Sequence, residues 1–202
     1  MTPAGGPARR DPMVGQTEPV DPSSISFGDM VQRFDDRVDA WFEPLRGKPV
    51  PDTLARIVSG LGDHGLLWAV STAWRARRPG SRRNRAVRAL AVAGAESSVV
   101  NAALKAVIGR PRPDGSDLRL GENIVPLRAP TTSSFPSGHT LAAFCAATVL
   151  SEKGDLRGNA LLFGSAGLIG ASRIHLGAHH GSDVLGGMAI GIVLGLAGRR
   201  LV

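Results

Sequence analysis

Thr131-Thr132-Ser133-Ser134-Phe135-Pro136-Ser137-Gly138-His139-Thr140 is a polar, proline-bearing loop that runs directly into the apolar stretch Leu141 to Leu150. Ser137 stands where a helix N-cap belongs, and the glycine after it leaves backbone N–H groups aimed at any anion docking there. His139, in the first turn of that helix, can deliver a proton to the same anion. A Ser-Gly-His cap alone is an ordinary helix start. Its neighbours on the chain give it weight. Upstream lie Lys105, Arg110, Pro111, Arg112 and Pro113; downstream lie Ser172, Arg173, His175, His179, His180 and Asp183.

The surrounding chain is a succession of apolar segments, at 54–74, 87–108, 138–151, 159–174 and 184–198. The first two reach the roughly 20 residues needed to cross a bilayer core, whereas the other three are shorter. Glycine decides between a soluble and a membrane bundle. Gly187, Gly191 and Gly195 recur every fourth residue and Gly164, Gly167 and Gly170 every third. An interior glycine costs a helix in water about 1 kcal/mol, but a small-residue face allows close backbone packing in lipid. The reading is therefore a membrane-embedded helical bundle, with glycine-rich faces that also suit a homo-oligomer. Arg75, Arg77, Arg78, Arg82, Arg83, Arg85 and Arg88 follow the first segment without an intervening acid, and Lys153, Arg157, Arg199 and Arg200 share their side. By the positive-inside rule that side is cytoplasmic, which puts Lys105–Pro113, Ser137–His139 and Arg173–Asp183 on the extracytoplasmic face of a multi-pass cell-membrane protein.

Composition suits a nucleic-acid binder, a neighbour of anionic lipid or an enzyme for anionic substrates. Lys and Arg number 24 against 17 Asp and Glu, a formal charge of +7. Nucleic acid is a poor partner, because the basic residues are not interleaved with aromatics and tyrosine is absent. Cys145 is the sole cysteine, so no internal disulfide and no cysteine-based zinc site can form. Residues 1–24 are rich in Pro and Gly and read as a disordered tail. Residues 25–50 read as an amphipathic helix, with Phe27, Met30, Val31, Phe34, Val38, Trp41, Phe42 and Leu45 spaced by threes and fours until Pro44 ends the run. Its acidic outer face favours a cover for the domain over a helix lying on an anionic leaflet. Residues 51–202 form the membrane domain.

The polar residues have a shared chemistry. Lys105 near a span end can snorkel to the interface, but seven residues on stands Arg112, held between two prolines. A lysine point charge and an arginine fork at that separation clamp a dianion. Arg173 adds a third cation, while Arg110 reads equally well as a surface charge. His179 and Asp183, four apart, share a face if helical, and a carboxylate on one ring nitrogen leaves the other as a nucleophile. His175 and His179 have the spacing of zinc ligands, but no Glu lies between them and no third ligand is evident, so no metal is expected. Asp63 and His64 sit beside Gly60, Gly62 and Gly65, which read as an irregular segment near an interface.

Lys105-x6-Arg112-Pro113, Pro136-Ser137-Gly138-His139 and Ser172-Arg173-x5-His179-x3-Asp183 together resemble the tripartite signature of the type 2 phosphatidic acid phosphatase superfamily, over Leu54 to the C-terminus. The resemblance implies an all-α core of the phosphatidic acid phosphatase/haloperoxidase type. Membrane members have six spans; five are found here, with the amphipathic helix in place of the first. It further implies a metal-independent phosphatase without a cofactor. Lys105, Arg112, Ser137, Gly138 and Arg173 would bind phosphate. His179, held by Asp183, would attack phosphorus, and His139 would protonate the leaving group and then activate water. The substrate class implied is a lipid phosphate: phosphatidic acid, phosphatidylglycerol phosphate, or a polyprenyl phosphate or diphosphate. The Ala, Gly and Arg bias of a GC-rich bacterium adds decaprenyl-linked sugar phosphates. Soluble acid phosphatases, haloperoxidases and non-catalytic phospholipid binders are the alternatives.

Overall fold

The computed structural model describes residues 26–63, 68, 71, 81–113 and 132–200, with side chains for all of these except 63, 81–90, 92, 93, 96 and 97. The expected tail at 1–24, His64, and Arg75 to Arg78 lie outside the described residues. Among the described residues the α-helices run in order α1 (Phe27–Phe42), α2 (Pro49–Asp63), α3 (Ser81–Ile108), α4 (Gly138–Leu150), α5 (Leu156–His175) and α6 (Gly181–Arg200), with a 3-10 turn at Glu43–Leu45 after α1.

α4 is the axis of the bundle. Its sequence is apolar on every side, and such a helix must be surrounded. Leu141, Ala143, Phe144, Cys145, Ala146, Ala147, Thr148, Val149 and Leu150 are all buried, with α6, α5, α3 and α2 packed around them. The close fit with α6 is made by glycine. A Cβ on Gly187 would stand 2.7 Å from the Ser137 carbonyl oxygen, and one on Gly191 2.4 Å from that of Leu141. On Gly195 it would stand 2.6 Å from Thr148 Cβ. The stripe expected to suit a second copy is thus filled within the chain. Gly164 and Gly167 face open space instead.

Helix boundaries shift the expected segments. α1 begins at the Ser26 cap, where Ser26 Oγ accepts from the Asp29 N–H and Asp29 accepts from the Ser26 N–H in a capping box. Proline then carries the chain into the 3-10 turn, and α2 already starts at Pro49. Gly60 and Gly62 lie inside regular α2, so the irregular segment expected there is helical as far as Asp63. α3 starts at Ser81, which turns the expected loop around Arg82, Arg83, Arg85 and Arg88 into helix. Among the described residues α6 is the helix long and apolar enough to cross a membrane, and only a third of its apolar window is buried; the expected segment at 54–74 runs beyond Asp63 largely outside the described residues. α3 is longer, and among its described side chains the apolar stretch is Ser98–Ile108.

The expected cover helix docks in part. Val38 and Asp35 of α1 are buried, yet Phe27 (77 % exposed), Met30, Phe34 and Trp41 (74 %) form a ridge beside that contact and face outward. Val50, Leu54, Ile57 and Leu61 continue an exposed apolar line along α2.

Candidate active site

Helix direction gathers the polar residues at one end of the bundle. α3 delivers Lys105 and the 109–113 turn there, α4 starts there with Ser137, and α5 and α6 meet there through residues 176–180. Residues 110–111 and 133–134 are laced together: the Arg110 N–H donates to Ser133 Oγ (2.9 Å), the Ser134 N–H to the Arg110 carbonyl (2.9 Å), and Ser134 Oγ to the Pro111 carbonyl (2.8 Å). The Ser137 N–H donates to the Asp183 carbonyl (3.0 Å), tying the starts of α4 and α6. All three sequence groups therefore converge.

His179 is nearly enclosed, and it lies in the loop before α6 rather than on a helix with Asp183. Its Nδ1–H donates to the Ser134 carbonyl at 2.8 Å, whereas Asp183 Oδ2 is 3.7 Å away. The expected Asp183–His179 hydrogen bond is thus replaced by a backbone one. Nδ1 has a single proton and gives it to the Ser134 carbonyl, so Asp183 stays at ion-pair range of His179 while its Oδ2 accepts from the His180 N–H (2.9 Å) and its Oδ1 from Arg110 (2.6 Å). The outcome for the ring is the same. Nδ1 carries the proton and Nε2 keeps its lone pair. Burial foremost, with the charges of Arg112 and Arg173 behind it and Asp183 opposing, pushes His179 down from 6.5 to about 4, so the ring is neutral at pH 7.

Arg112 stands against Nε2. Arg112 Nη1 lies 3.5 Å from it, and the guanidinium is fixed by the carbonyls of Ala178 (2.7 Å) and Thr132 (3.1 Å). Arg173 donates to Ser59 Oγ of α2 (2.6 Å). Arg112 and Arg173 both act electrostatically on Lys105, which places the three cations near one another. Ser137, fully buried, occupies the N-cap position of α4 without capping by its side chain; its Oγ accepts from Thr140 Oγ1 at 2.9 Å. Gly138 is pressed against Asn101, where a Cβ would meet Nδ2 at 2.9 Å, and the His139 ring lies beside Gly62 of α2. Among the described residues no group of three or more His, Cys, Asp or Glu is arranged to hold a metal ion.

Several contacts had no clear signal in the sequence. Arg110, read there as equally a surface charge, bridges Asp183 and the buried Asp35. His175 pairs with Asp52 (2.8 Å), both buried, and Arg46 donates to the carbonyls of Ile174 and His175. The two N-terminal helices thereby grip the α5–α6 connection from outside.

A family profile described as the PAP2 superfamily matches residues 86–202, more than half of the chain and all three groups of site residues. The chain belongs to the PAP2 superfamily. Among PAP2 relatives, the decaprenylphosphoryl-5-phosphoribose phosphatase of Mycolicibacterium smegmatis is 34 % identical over 145 residues, 71 % of this chain and 74 % of that one. Phosphatidylglycerophosphatase B of Bacillus subtilis is 33 % identical over 106 residues, 48 % of each chain. The crystal structure of Aquifex aeolicus LpxE superposes with a TM-score of 0.65 at 31 % identity, covering 81 % of this chain and 93 % of that one. The first transmembrane PAP2-type phosphatidylglycerolphosphate phosphatase from Bacillus subtilis shares the fold with a TM-score of 0.65 at 24 % identity, covering 86 % of each chain. The all-helical PAP2 fold expected from the three motifs is the fold observed, and the PAP2 relatives named here are phosphatases.

Proposed function

We propose that this PAP2 phosphatase hydrolyses the phosphoryl ester of a membrane lipid phosphate through a phosphohistidine at His179. One observation carries the reading: a neutral, buried imidazole nitrogen 3.5 Å from a fixed guanidinium, within a cluster of three cations. Arg112, Lys105 and Arg173 bind the phosphoryl oxygens with Ser137 and the Gly138 N–H, so the charge that develops in the transition state meets preorganised donors. His179 Nε2 attacks phosphorus in line; the P–O bond breaks as His139 gives its proton to the leaving alkoxide. His139, now neutral, takes a proton from water, whose oxygen attacks the phosphohistidine and frees both the imidazole and inorganic phosphate. No step draws on a metal.

The substrate is a lipid because the body of the protein suits a bilayer. Val99 and Val107 of α3, Leu161 and Leu168 of α5, and Val193 and Leu196 of α6 are exposed apolar side chains, the expected finish of a lipid-facing surface. The exposed ridge of α1 and the apolar line of α2 extend it at the site end, as an interfacial helix would. Both curated relatives are named for lipid phosphates, which disfavours a soluble acid phosphatase or a non-catalytic binder. A polyprenylphosphoryl sugar phosphate is the leading candidate, on the strength of the mycobacterial relative's name. Lys153, Arg157, Arg199 and Arg200 lie at the end opposite the site, which supports a multi-pass topology with an extracytoplasmic active site. The test is phosphate release by purified protein from decaprenylphosphoryl-5-phosphoribose, phosphatidylglycerol phosphate and phosphatidic acid. Release from at least one, abolished in His179→Ala, supports the reading; no release from any lipid phosphate contradicts it.

A further inference from the structure

We infer that Asp35, on the N-terminal helix outside the matched family region, is a positioning residue for the catalytic loop, acting through Arg110. The inference rests on the proposed function above. Asp35 is 3 % exposed and makes three short contacts: Oδ2 accepts from Arg110 Nη2 (2.6 Å) and Ser182 Oγ (2.8 Å), and Oδ1 from the Ser182 N–H (2.7 Å). The other arm of Arg110, Nη1, donates to Asp183 Oδ1 (2.6 Å) and to Ser182 Oγ (2.7 Å). Two buried carboxylates therefore share one guanidinium.

Neutralising Arg110 needs only one of them, and Asp183 is already there. Asp35 does two further things. It caps the first turn of α6 from another helix, placing a negative charge against the N–H of Ser182. It also fixes the plane of the Arg110 fork, so that the remaining nitrogen can meet Asp183 at only one angle. Asp183 in turn holds the His180 N–H, one residue from His179. The chain of contacts thus runs from α1 to His180, the residue next to the nucleophile. α1 is seated closely enough to do this because Gly181 faces Val38, one turn from Asp35, where a Cβ would stand 3.0 Å away.

The experiment is a double-mutant cycle of Asp35→Asn and Arg110→Gln, read as kcat and KM for phosphate release from a lipid phosphate in detergent, on protein that elutes as wild type. Asp35→Asn is expected to lower kcat by about tenfold to a hundredfold, the scale of a slightly misplaced reacting group, with KM unchanged. In the Arg110→Gln background the same change should add little, since both act through one contact. Asp36→Asn, an exposed neighbour bonded to Gln32, is the control and should match wild type. Should Asp35→Asn not fold, Ser182→Ala removes the hydroxyl that joins Asp35 to Arg110 without leaving a buried charge, and a several-fold fall in kcat is expected. Wild-type kcat in the variant that folds, or full additivity in the cycle, overturns the inference while leaving the phosphatase reading intact. An inactive wild type overturns both.

Discussion

His179 Nε2 lies 3.5 Å from Nη1 of Arg112, while the opposite ring nitrogen donates to the Ser134 carbonyl at 2.8 Å. The proposed nucleophile and phosphate ligand are thus both tied to the backbone of residues 132–134, and Arg112 is anchored on the Ala178 carbonyl as well.

That anchoring uses the fork of Arg112, which a lysine cannot reproduce. Arg112→Lys keeps the charge and loses both the carbonyl contacts and bidentate binding of the phosphoryl group. The expected loss in kcat is about 10²–10³-fold, as for removal of one preorganised oxyanion donor. Steady-state kinetics on the purified variant checks this; near-wild-type turnover would show that charge alone suffices.

The neutral state of His179 has a pH signature. Its folded pKa is lowered from 6.5 to about 4, chiefly by burial, so the lone pair persists as pH falls and is lost only near 4. The unfolded ring would bind its proton near the ordinary value, so stability contributed by the neutral ring declines as pH drops from 6.5 towards 4 and no further below that. In ¹⁵N-histidine spectra of the free protein in detergent, the His179 signals should be those of a neutral ring at pH 5.5. Arg112→Gln, which removes a neighbouring positive charge, should raise the midpoint.

The glycine faces make opposite forecasts on two helices. Gly191→Ala puts a methyl group 2.4 Å from the Leu141 carbonyl oxygen and must push α6 off α4, an overpacking cost of about 1–3 kcal/mol. Because the Ser137 N–H is bonded to the Asp183 carbonyl, the same shift disturbs the site, and activity should fall with stability. Gly164→Ala meets nothing within 4 Å and should be neutral or mildly stabilising. Thermal unfolding in one detergent compares the two.

Topology can be read with cysteines. In a Cys145→Ala background, Thr132→Cys stands at the site end and Lys153→Cys at the opposite end, both at exposed positions. An impermeant thiol reagent on whole cells should label the first and spare the second. The reverse pattern would put the active site in the cytoplasm.

The sequence exposes the site's chemistry better than its scaffolding. Lys105, Arg112, Ser137, His139, Arg173, His179 and Asp183 stand at fixed spacings within short segments, and residue types that bind phosphate are legible wherever they fall. The Gly187–Gly191–Gly195 repeat was legible as a close-packing face, though not as one that would be satisfied by α4 of the same chain. Asp35 could not be found this way. It sits 75 residues from Arg110, on an amphipathic helix where a carboxylate beside Asp36 reads as solvated surface. The bond from His179 to the Ser134 carbonyl was hidden for another reason: every residue has a carbonyl, so a backbone acceptor leaves no mark in residue identity. The outward ridge of Phe27, Met30, Phe34 and Trp41 was visible as periodicity, but periodicity does not say whether an apolar face meets protein or lipid.

The central claim is that His179 carries the phosphoryl group, and rapid quench under non-acidic conditions with a ³²P-labelled lipid phosphate tests it directly. Wild-type protein should trap label on histidine at a level set by the two half-reactions. His179→Ala should trap none. His139→Ala should trap label with a good leaving group such as nitrophenolate, and should hold it longer because the same side chain activates the hydrolytic water; its loss with an alkoxide leaving group should be about 10²–10⁴-fold. Label in His179→Ala, or its absence from an active wild-type enzyme, would contradict the account.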